Sequence, residues 1–244
     1  NLYINHPSQV YIGLFGYAYN ATIKNPIFHK WNILEVEILA TFLPKVVVDS
    51  MYTTIKKIGL EIRTLTLEPI AAISVVIPQD MRKLNIALVD IGAGTSDIAI
   101  SKDGKIIGYG MVPMAGDEVT ENILNEDLLD FETAEIVKKA LSDKNETVKY
   151  EDILGIEYEV EKNEIHEKID GTLETLSTKI AEKIGELNEI PPQAVIMIGG
   201  GSLVPKKKKK IAEKVSLVAG RVAIRGTEAI KNLVDDTEKV RTAE

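Results

Sequence analysis

Residues 87–100 read Ala-Leu-Val-Asp-Ile-Gly-Ala-Gly-Thr-Ser-Asp-Ile-Ala-Ile, and this stretch decides the fold. An apolar strand runs into Asp90, a short Gly-Ala-Gly-Thr turn follows, and a second apolar strand leaves the turn. Glycine has no Cβ atom, so the backbone N–H groups of such a turn can close around an anion, and nearby hydroxyls add donors. The pattern therefore predicts a phosphate-binding hairpin. The residues predicted to face the phosphates are Gly92, Ala93, Gly94, Thr95 and Ser96.

Two other phosphate loops do not fit this stretch. A Walker loop requires a following Gly-Lys-Ser/Thr, which is absent, and a dinucleotide fingerprint opens a helix rather than a strand. The alternative interpretation is an ordinary tight hairpin without a ligand. If the hairpin does bind phosphate, the carboxylate of Asp90 cannot bind the anion itself. We therefore expect Asp90 to hold a divalent ion, directly or through its water shell.

A second glycine loop, Gly199, Gly200, Gly201 and Ser202, lies between a buried apolar strand and a helix. The start of a helix offers free N–H donors and the positive end of its dipole, and glycine lets a flat ligand approach the backbone. Three glycines in a row also occur in flexible loops, so this loop alone leaves both interpretations open. The two loops together predict a nucleotide cleft, because each follows an apolar strand and a helical block separates them.

Hydrophobic periodicity predicts alternating helices and strands elsewhere in the chain. A long amphipathic helix is predicted over about 163–187, with an apolar stripe of residues three and four apart. Asp103-Gly104 is typical of a two-residue hairpin turn. Further elements are predicted as a helix after Pro44 that ends at Gly59, strands at 62–67 and 155–160, and helices at 70–76 and about 205–215.

Composition excludes several classes of protein. With 244 residues, 45% hydrophobic and 27% charged, the chain can bury a core. A net charge of −8 argues against a general nucleic-acid binder, and the absence of cysteine excludes disulfides and thiolate metal sites. No apolar run approaches the ~20 residues of a membrane-spanning helix. The sequence starts with Asn1 and lacks signal-peptide features, so we expect a piece of a longer protein.

Three motifs occur in the order typical of one superfamily. Residues 90–95 resemble the second phosphate motif of the actin, sugar kinase and DnaK-type chaperone superfamily. Residues 196–202 resemble its adenosine motif, and residues 67–72 resemble the helix that precedes the phosphate motif. Within the superfamily the chain most resembles the bacterial cell-division family FtsA. The phrases that carry this likeness are residues 23–26, 36–38, 97–104, 112–120 and 222–225.

The resemblance implies an α/β fold, namely an actin-like (ribonuclease H-like) nucleotide-binding lobe with a small α+β inserted subdomain at the N-terminus. Residues 1–62 would be part of that inserted subdomain, and residues 63–84 a connecting strand and helix. The second actin-like lobe would span 85–234, with a helical subdomain at about 118–188. Residues 235–244 would form a polar tail.

The resemblance also implies ATP and Mg²⁺ as ligands. Glu135 and Lys138 correspond to a Glu and a Lys that contact the adenine and ribose in DnaK-like and FtsA-like proteins. They are three positions apart and share a helix face, although an ordinary surface ion pair would show the same spacing. Gly116 and Asp117 are further expected cleft residues, and Asp90 is the candidate catalytic residue.

The implied function is an ATP-binding cell-division scaffold that self-associates and links the division ring to the membrane. Its expected partners are a second copy and an FtsZ-like tubulin homologue, with no nucleic acid. Membrane contact would come only through a segment outside this chain, which places the protein in the cytoplasm at the inner face of the membrane. We expect at most weak ATPase activity in the full-length protein and none in this chain alone. The alternatives are a DnaK-type chaperone or reactivase ATPase, and a pilus-assembly or shape-determining scaffold.

Two features depart from the family. A complete member has an earlier Asp-x-Gly hairpin that supplies the other half of the phosphate donors, and no second copy occurs in this sequence. We therefore expect weak ATP binding by this chain alone. The run Lys206–Lys210 is interpreted as a solvated helix face, with binding of anionic lipid or polyphosphate as the alternative. The last residues, 235–244, are too polar for an amphipathic membrane helix.

Overall fold

The computed structural model describes residues 10–13 and 41–226. Two compact units are present, Asn1–Glu68 and Pro69–Glu244. Most of the predicted inserted subdomain and the whole polar tail lie outside the described residues. Both therefore remain predictions.

The first unit contains a strand pair and a helix. Strand β1 (Val10–Gly13) pairs antiparallel with β2 (Thr41–Pro44), and α1 (Lys45–Lys57) follows directly. Gly59 adopts φ 78°, in the left-handed region, and its N–H donates to the Lys56 carbonyl at 3.0 Å. This is the helix end that the sequence predicts, because glycine enters that region without a steric penalty.

The strand predicted over residues 62–67 is wrong. Residues 60–67 have no regular secondary structure, and none of the described strands pairs with them. Alternating apolar residues favour a strand only where a neighbouring strand supplies the backbone hydrogen bonds.

The second unit is an α/β structure with a five-stranded sheet and a helical part inserted between its strands. Its β-strands and α-helices, in chain order, are α2 (Glu68–Val76), β3 (Ile86–Ile91), β4 (Ser96–Lys102), β5 (Lys105–Val112), α3 (Asp117–Asp127), α4 (Phe131–Ala140), β6 (Thr147–Glu151), β7 (Glu157–Glu161), α5 (Lys162–Leu187), β8 (Ala194–Ile198), α6 (Lys207–Lys214) and β9 (Val222–Ile224).

The sheet has the strand order β5-β4-β3-β8-β9. Strands β3, β4 and β5 are antiparallel neighbours, whereas β8 pairs parallel with β3 and with β9. Asp103 and Gly104 turn β4 into β5 with φ of 53° and 76°, the two left-handed residues that this short turn requires. Because β3 and β8 run in the same direction, the loops after both strands lie at the same edge of the sheet.

Hydrophobic cores cover both faces of the sheet and fill the helical part. Ala87 and Val89 of β3 pack on one face, and Ile86 and Leu88 on the other, as the two-residue period of a strand requires. The helical part encloses a third core between α3, α4 and the first half of α5. The apolar stripe of α5 serves two cores, since Ile165, Ile169 and Leu173 lie in the helical part and Leu176, Ile180 and Ile184 pack on the sheet.

The hairpin of β6 and β7 was only half predicted. Strand β7 corresponds to the predicted strand at 155–160, but β6, which pairs with it from Thr147 to Glu151, was missed. Tyr150 and Tyr158 stack across the hairpin with ring centroids 5.5 Å apart. The alternation Thr-Val-Lys-Tyr-Glu is typical of a strand and could have revealed β6.

The interpretation of Lys206–Lys210 as one solvated helix face is wrong. Lys207 has no exposed surface, and Lys210 forms ion pairs with Asp170 and Glu174 of α5 at 3.0 and 3.1 Å. Lys207 lies four residues before the buried Ile211, so both residues occupy the packed face of α6.

Candidate functional site

The predicted phosphate hairpin forms where β3 turns into β4. The Gly92 N–H donates to the Thr95 carbonyl at 3.0 Å and closes the turn. Ser96 is fully buried, and its hydroxyl donates to the Met114 carbonyl at 2.8 Å. Residues 93–95 are exposed. The open tip of the hairpin is therefore the part that can meet a ligand, while the Ser96 hydroxyl bonds inside the protein.

The glycine loop after β8 lies directly against this hairpin. Gly199 adopts φ 82°, and a Cβ there would lie 2.4 Å from the Ile91 carbonyl oxygen and 2.5 Å from Asp90 Oδ1. A Cβ on Gly201 would lie 2.6 Å from Ile91 Cγ2 and 2.9 Å from the Gly92 carbonyl oxygen. Only glycine fits at both positions, because a side chain would collide with the backbone of the first loop. The two glycine loops are thus in direct contact.

The start of α3 provides a third side. The N–H groups of Gly116 and Asp117 donate to the carbonyls of Gly92 and Ala93 at 3.1 and 2.8 Å. Asp117 Oδ2 lies 4.0 Å from the position that a Cβ on Gly94 would take. These bonds fix the hairpin tip against the beginning of a helix, where the helix dipole favours negative charge.

The predicted pair on α4 is an inward-facing ion pair. Lys138 Nζ lies 2.5 Å from Glu135 Oε2, and it donates to Thr120 Oγ1 at 2.8 Å and to the Gly116 carbonyl at 3.2 Å. Only 8% of Lys138 is exposed, so this is not an ordinary surface pair. Burial alone would raise the pKa of the Glu135 carboxyl. The hydrogen bonds from Lys138 and Thr120 and the charges of Lys138 and Lys139 outweigh burial and lower that pKa below its ordinary value.

These groups surround a common cavity of about 380 Å³. It is large enough for a small-molecule ligand and combines polar side chains with open backbone. The hairpin, the α3 start, α4 and the glycine loop all contribute, so the cavity unites residues far apart in sequence. Its lining residues are Gly92, Ala93, Asp117, Glu135, Lys138, Lys139, Ser142, Asp143, Gly200, Gly201, Leu203 and Val204.

Five of these lining residues were not predicted from the sequence. Lys139 continues the α4 face that begins with Glu135 and Lys138, and Ser142, just after the helix, keeps the spacing of three and four residues. That spacing could have revealed them. The Ser142 hydroxyl donates to the Leu203 carbonyl at 3.1 Å, which joins the end of α4 to the glycine loop. The other three are Asp143, Leu203 and Val204.

The remaining predicted residues do not line the cavity itself but belong to the segments that surround it. They are Asp90, Gly94, Thr95, Ser96, Gly116, Gly199 and Ser202. Among the described residues, no group of three His, Cys, Asp or Glu side chains could hold a metal ion by itself. Asp90 and Asp117 offer carboxylate oxygens near the hairpin. Such a donor set fits Mg²⁺, which usually keeps several waters and binds through one or two carboxylates together with substrate phosphates.

The fold and the cleft define an actin-like ATPase-fold protein. The structure resembles the "PilM-PilN type IV pilus biogenesis complex" with a TM-score of 0.72 and 16% identity, over 98% of this chain and 64% of that chain. It also resembles MreB 5 of Spiroplasma citri bound to AMPPNP, with a TM-score of 0.61 and 19% identity, over 75% of this chain and 60% of that chain. At these identities the likeness shows the fold alone.

The chain belongs to the FtsA cell-division family, whose family model, "Cell division protein FtsA", matches residues 87–243. FtsA of Bacillus subtilis is 32% identical over 108 residues, 44% of this chain and 24% of that protein. FtsA of Buchnera aphidicola is 25% identical over 224 residues, 89% of this chain and 50% of that protein. The chain thus spans half or less of the length of these relatives. Within the part that the structure describes, no helix is long and apolar enough to cross a bilayer.

Proposed function

We propose that this chain supplies an ATP-binding lobe to an actin-like scaffold of bacterial cell division. The observation that carries the proposal is the common cavity, in which the glycine hairpin, the glycine loop and the Glu135–Lys138 pair meet. Membership of the FtsA family supports a role in cell division. The actin-like fold supports a nucleotide as the ligand.

In this proposal the hairpin tip and the start of α3 bind the phosphates, and the glycine loop and α4 bind the nucleoside. Mg²⁺ would be held through water by Asp90, with Asp117 as a second oxygen donor, and would neutralise charge on the phosphates. Asp90 is the candidate catalytic residue for at most weak ATP hydrolysis by the full-length protein. The sequence contains one phosphate hairpin of this kind, so we expect weak binding by the chain alone.

The wider role is proposed for the whole protein. It would self-associate, contact an FtsZ-like tubulin homologue and link the division ring to the inner face of the membrane, working in the cytoplasm. Sedimentation of the whole protein with and without ATP tests self-association directly. A pelleted fraction that grows with ATP supports the scaffold, whereas a monomer under both conditions contradicts it.

The second candidate is a pilus-assembly or shape-determining scaffold, favoured by the structural likeness over 98% of the chain. That likeness comes with 16% identity, whereas the FtsA family model matches more than half of the sequence. A DnaK-type chaperone is less favoured, because Ala115–Glu118 lacks the Phe-Asp of that family.

The experiment is a titration of the ¹⁵N-labelled chain with Mg·ATP, followed by amide chemical shifts, which detect weak binding. We expect saturable shifts at Gly92 and at Gly201. Gly200→Val should abolish them, since Gly200 lines the cavity and no protein atom lies within 4 Å of an added Cβ. Gly220→Val is the matched control, because Gly220 has equally open surroundings and lies outside the cavity.

The variants separate a binding defect from a folding defect. Asp90→Ala should weaken binding in the presence of Mg²⁺ more than in its absence, because its proposed role is to hold the ion. Wild-type shifts confined to residues outside the cavity, or an unchanged affinity in Gly200→Val, would falsify the proposed site.

A further inference from the structure

Lys207 is buried behind the glycine loop without a carboxylate partner. Its side chain has no exposed surface, and its Nζ donates to the Gly201 carbonyl at 2.5 Å. None of the ion pairs formed within residues 10–13 and 41–226 includes Lys207 (the ion pairs of the neighbouring run belong to Lys209 and Lys210). An apolar side chain could fill the same space without the cost of an unpaired buried ammonium, so the hydrogen bond to Gly201 is the contact that sets this lysine apart.

The surroundings make the position more unfavourable for a positive charge. Lys207 is the first residue of α6, where the helix dipole is positive, and the Lys138 ammonium lies on the adjacent α4. Burial and the charge of Lys138 lower the pKa of Lys207 from 10.5 to about 7, and the Glu118 carboxylate of α3 opposes the shift. The amine therefore exchanges its proton near neutral pH.

The other titratable groups near α6 lie on α5 and before β9. On α5, Asp170 and Glu174 pair with Lys210. Burial lowers the pKa of His166 on α5, and Lys206 and Lys162 lower it further. The glycine loop and β9 contain no charged residue, and Arg221 before β9 is exposed.

A chain of hydrogen bonds leads from Lys207 to the cavity. The Gly201 carbonyl, which accepts from Lys207, belongs to the same peptide group as the Ser202 N–H, and that N–H donates to the Gly199 carbonyl at 3.0 Å. The Gly199 carbonyl in turn shares a peptide group with the Gly200 N–H, and Gly200 lines the cavity. Successive hydrogen bonds polarise one another, so a charge on Lys207 makes the Gly200 N–H a better donor to a nucleotide bound in the cavity.

We propose that Lys207 is a positioning residue of the nucleotide site, which holds the Gly201 carbonyl from behind and takes up a proton when an anionic nucleotide binds in the cavity. The inference rests on the proposed nucleotide function. By linkage, a ligand that favours the charged amine binds more tightly at a pH where the amine is charged.

The test is the Mg·ATP affinity of the full chain at pH 7.0, 7.5, 8.0 and 8.5, where the nucleotide stays ionised. If binding raises the pKa of Lys207 by about one unit, the wild-type affinity falls about fourfold over this range. Lys207→Arg keeps a donor that cannot lose its proton, and its affinity should not change with pH. Lys207→Met should bind more weakly than wild type at pH 7.0 and show no pH dependence.

Lys208→Met is the matched control, because Lys208 lies on the same helix and is exposed. It should keep the wild-type profile. If Lys207→Met does not fold, Lys207→Arg alone tests the inference, through an Mg·ATP affinity that does not change with pH. A wild-type affinity that does not change with pH, or a variant at Lys207 with the wild-type profile, overturns this inference and leaves nucleotide binding intact. A wild-type chain that binds no nucleotide overturns the proposed function and this inference together.

Discussion

The burial of Lys207 also leads to a prediction about stability that can be tested without a ligand. Replacing it with methionine removes a buried titratable amine and keeps an unbranched side chain of similar length. In the unfolded chain the amine has its ordinary pKa of 10.5, and in the folded chain burial chiefly lowers that pKa to about 7. The two pKa values define the pH window in which the lysine changes the free energy of unfolding.

The sign follows from the proton count in each state. Below pH 7 the amine is charged in both states, so the full cost of burying the charge is present and does not change with pH. Between pH 7 and 10.5 the folded chain has lost the proton and the unfolded chain has kept it, so stability rises with pH. From pH 7 to pH 9 this single group raises the free energy of unfolding by about 2 kcal/mol. Above pH 10.5 both states are neutral and the effect ends.

Urea denaturation followed by circular dichroism at pH 7, 8 and 9 measures this difference. The quantity to compare is the free energy of unfolding of Lys207→Met minus that of wild type, because contributions from other titrating groups cancel. At pH 7 the loss of the buried charge raises the free energy of unfolding of the variant. The Gly201 carbonyl, left without its donor, lowers it by about 1–3 kcal/mol. The difference should then fall by about 2 kcal/mol as the pH rises to 9.

A difference that stays constant across the three pH values would refute the reasoning, since it would mean that Lys207 titrates alike in both states. Lys208→Met provides the baseline, and its difference from wild type should be near zero at every pH, because surface substitutions of this kind have small effects.

Three further predictions concern the packing of the second unit and can be measured by the same unfolding experiment. Gly199→Ala should destabilise the chain by roughly 2 kcal/mol or more, because its φ of 82° disfavours a side chain and the added Cβ would lie 2.4 Å from a carbonyl oxygen of β3. Gly200→Ala, which has open space around it, should have little effect. Asn85 and Asn188 exchange two amide hydrogen bonds of 3.2 and 2.9 Å in the interior, so Asn85→Ala should cost about 1–3 kcal/mol by leaving a buried amide unpaired. Leu173→Ala should cost about 2–5 kcal/mol, since this side chain is fully buried in the helical part.

The position of the cleft could be predicted because its two loops follow strands of one sheet. The sequence shows two apolar runs that each end in glycines, and two such loops at the same edge of a sheet can share one ligand. The structure pairs β3 with β8 in parallel, from Ile86 with Ala194 to Asp90 with Ile198, which brings those loops together. Local signals therefore sufficed where strand order and strand ends determine the geometry.

The role of Lys207 could not be predicted in the same way. Five consecutive lysines look alike in sequence, and the burial of one of them depends on where α6 begins and which face packs against α5. The spacing to Ile211 and Val215 was available as a signal. To use this spacing, the start of α6 must be placed at Lys207, directly after Lys206 with its φ of 66°. Periodicity alone determines helix ends poorly.

The glycine triplet shows that residues of one sequence motif can be glycine for different structural reasons. From the sequence, every glycine of the loop is expected to allow a close approach of backbone to ligand. In the structure, Gly199 and Gly201 are glycines because the hairpin backbone lies where their Cβ atoms would be. Gly200 has open space around it and lines the cavity. Two of the three glycines therefore hold the walls together, and a substitution at the middle one is the change that separates ligand binding from folding.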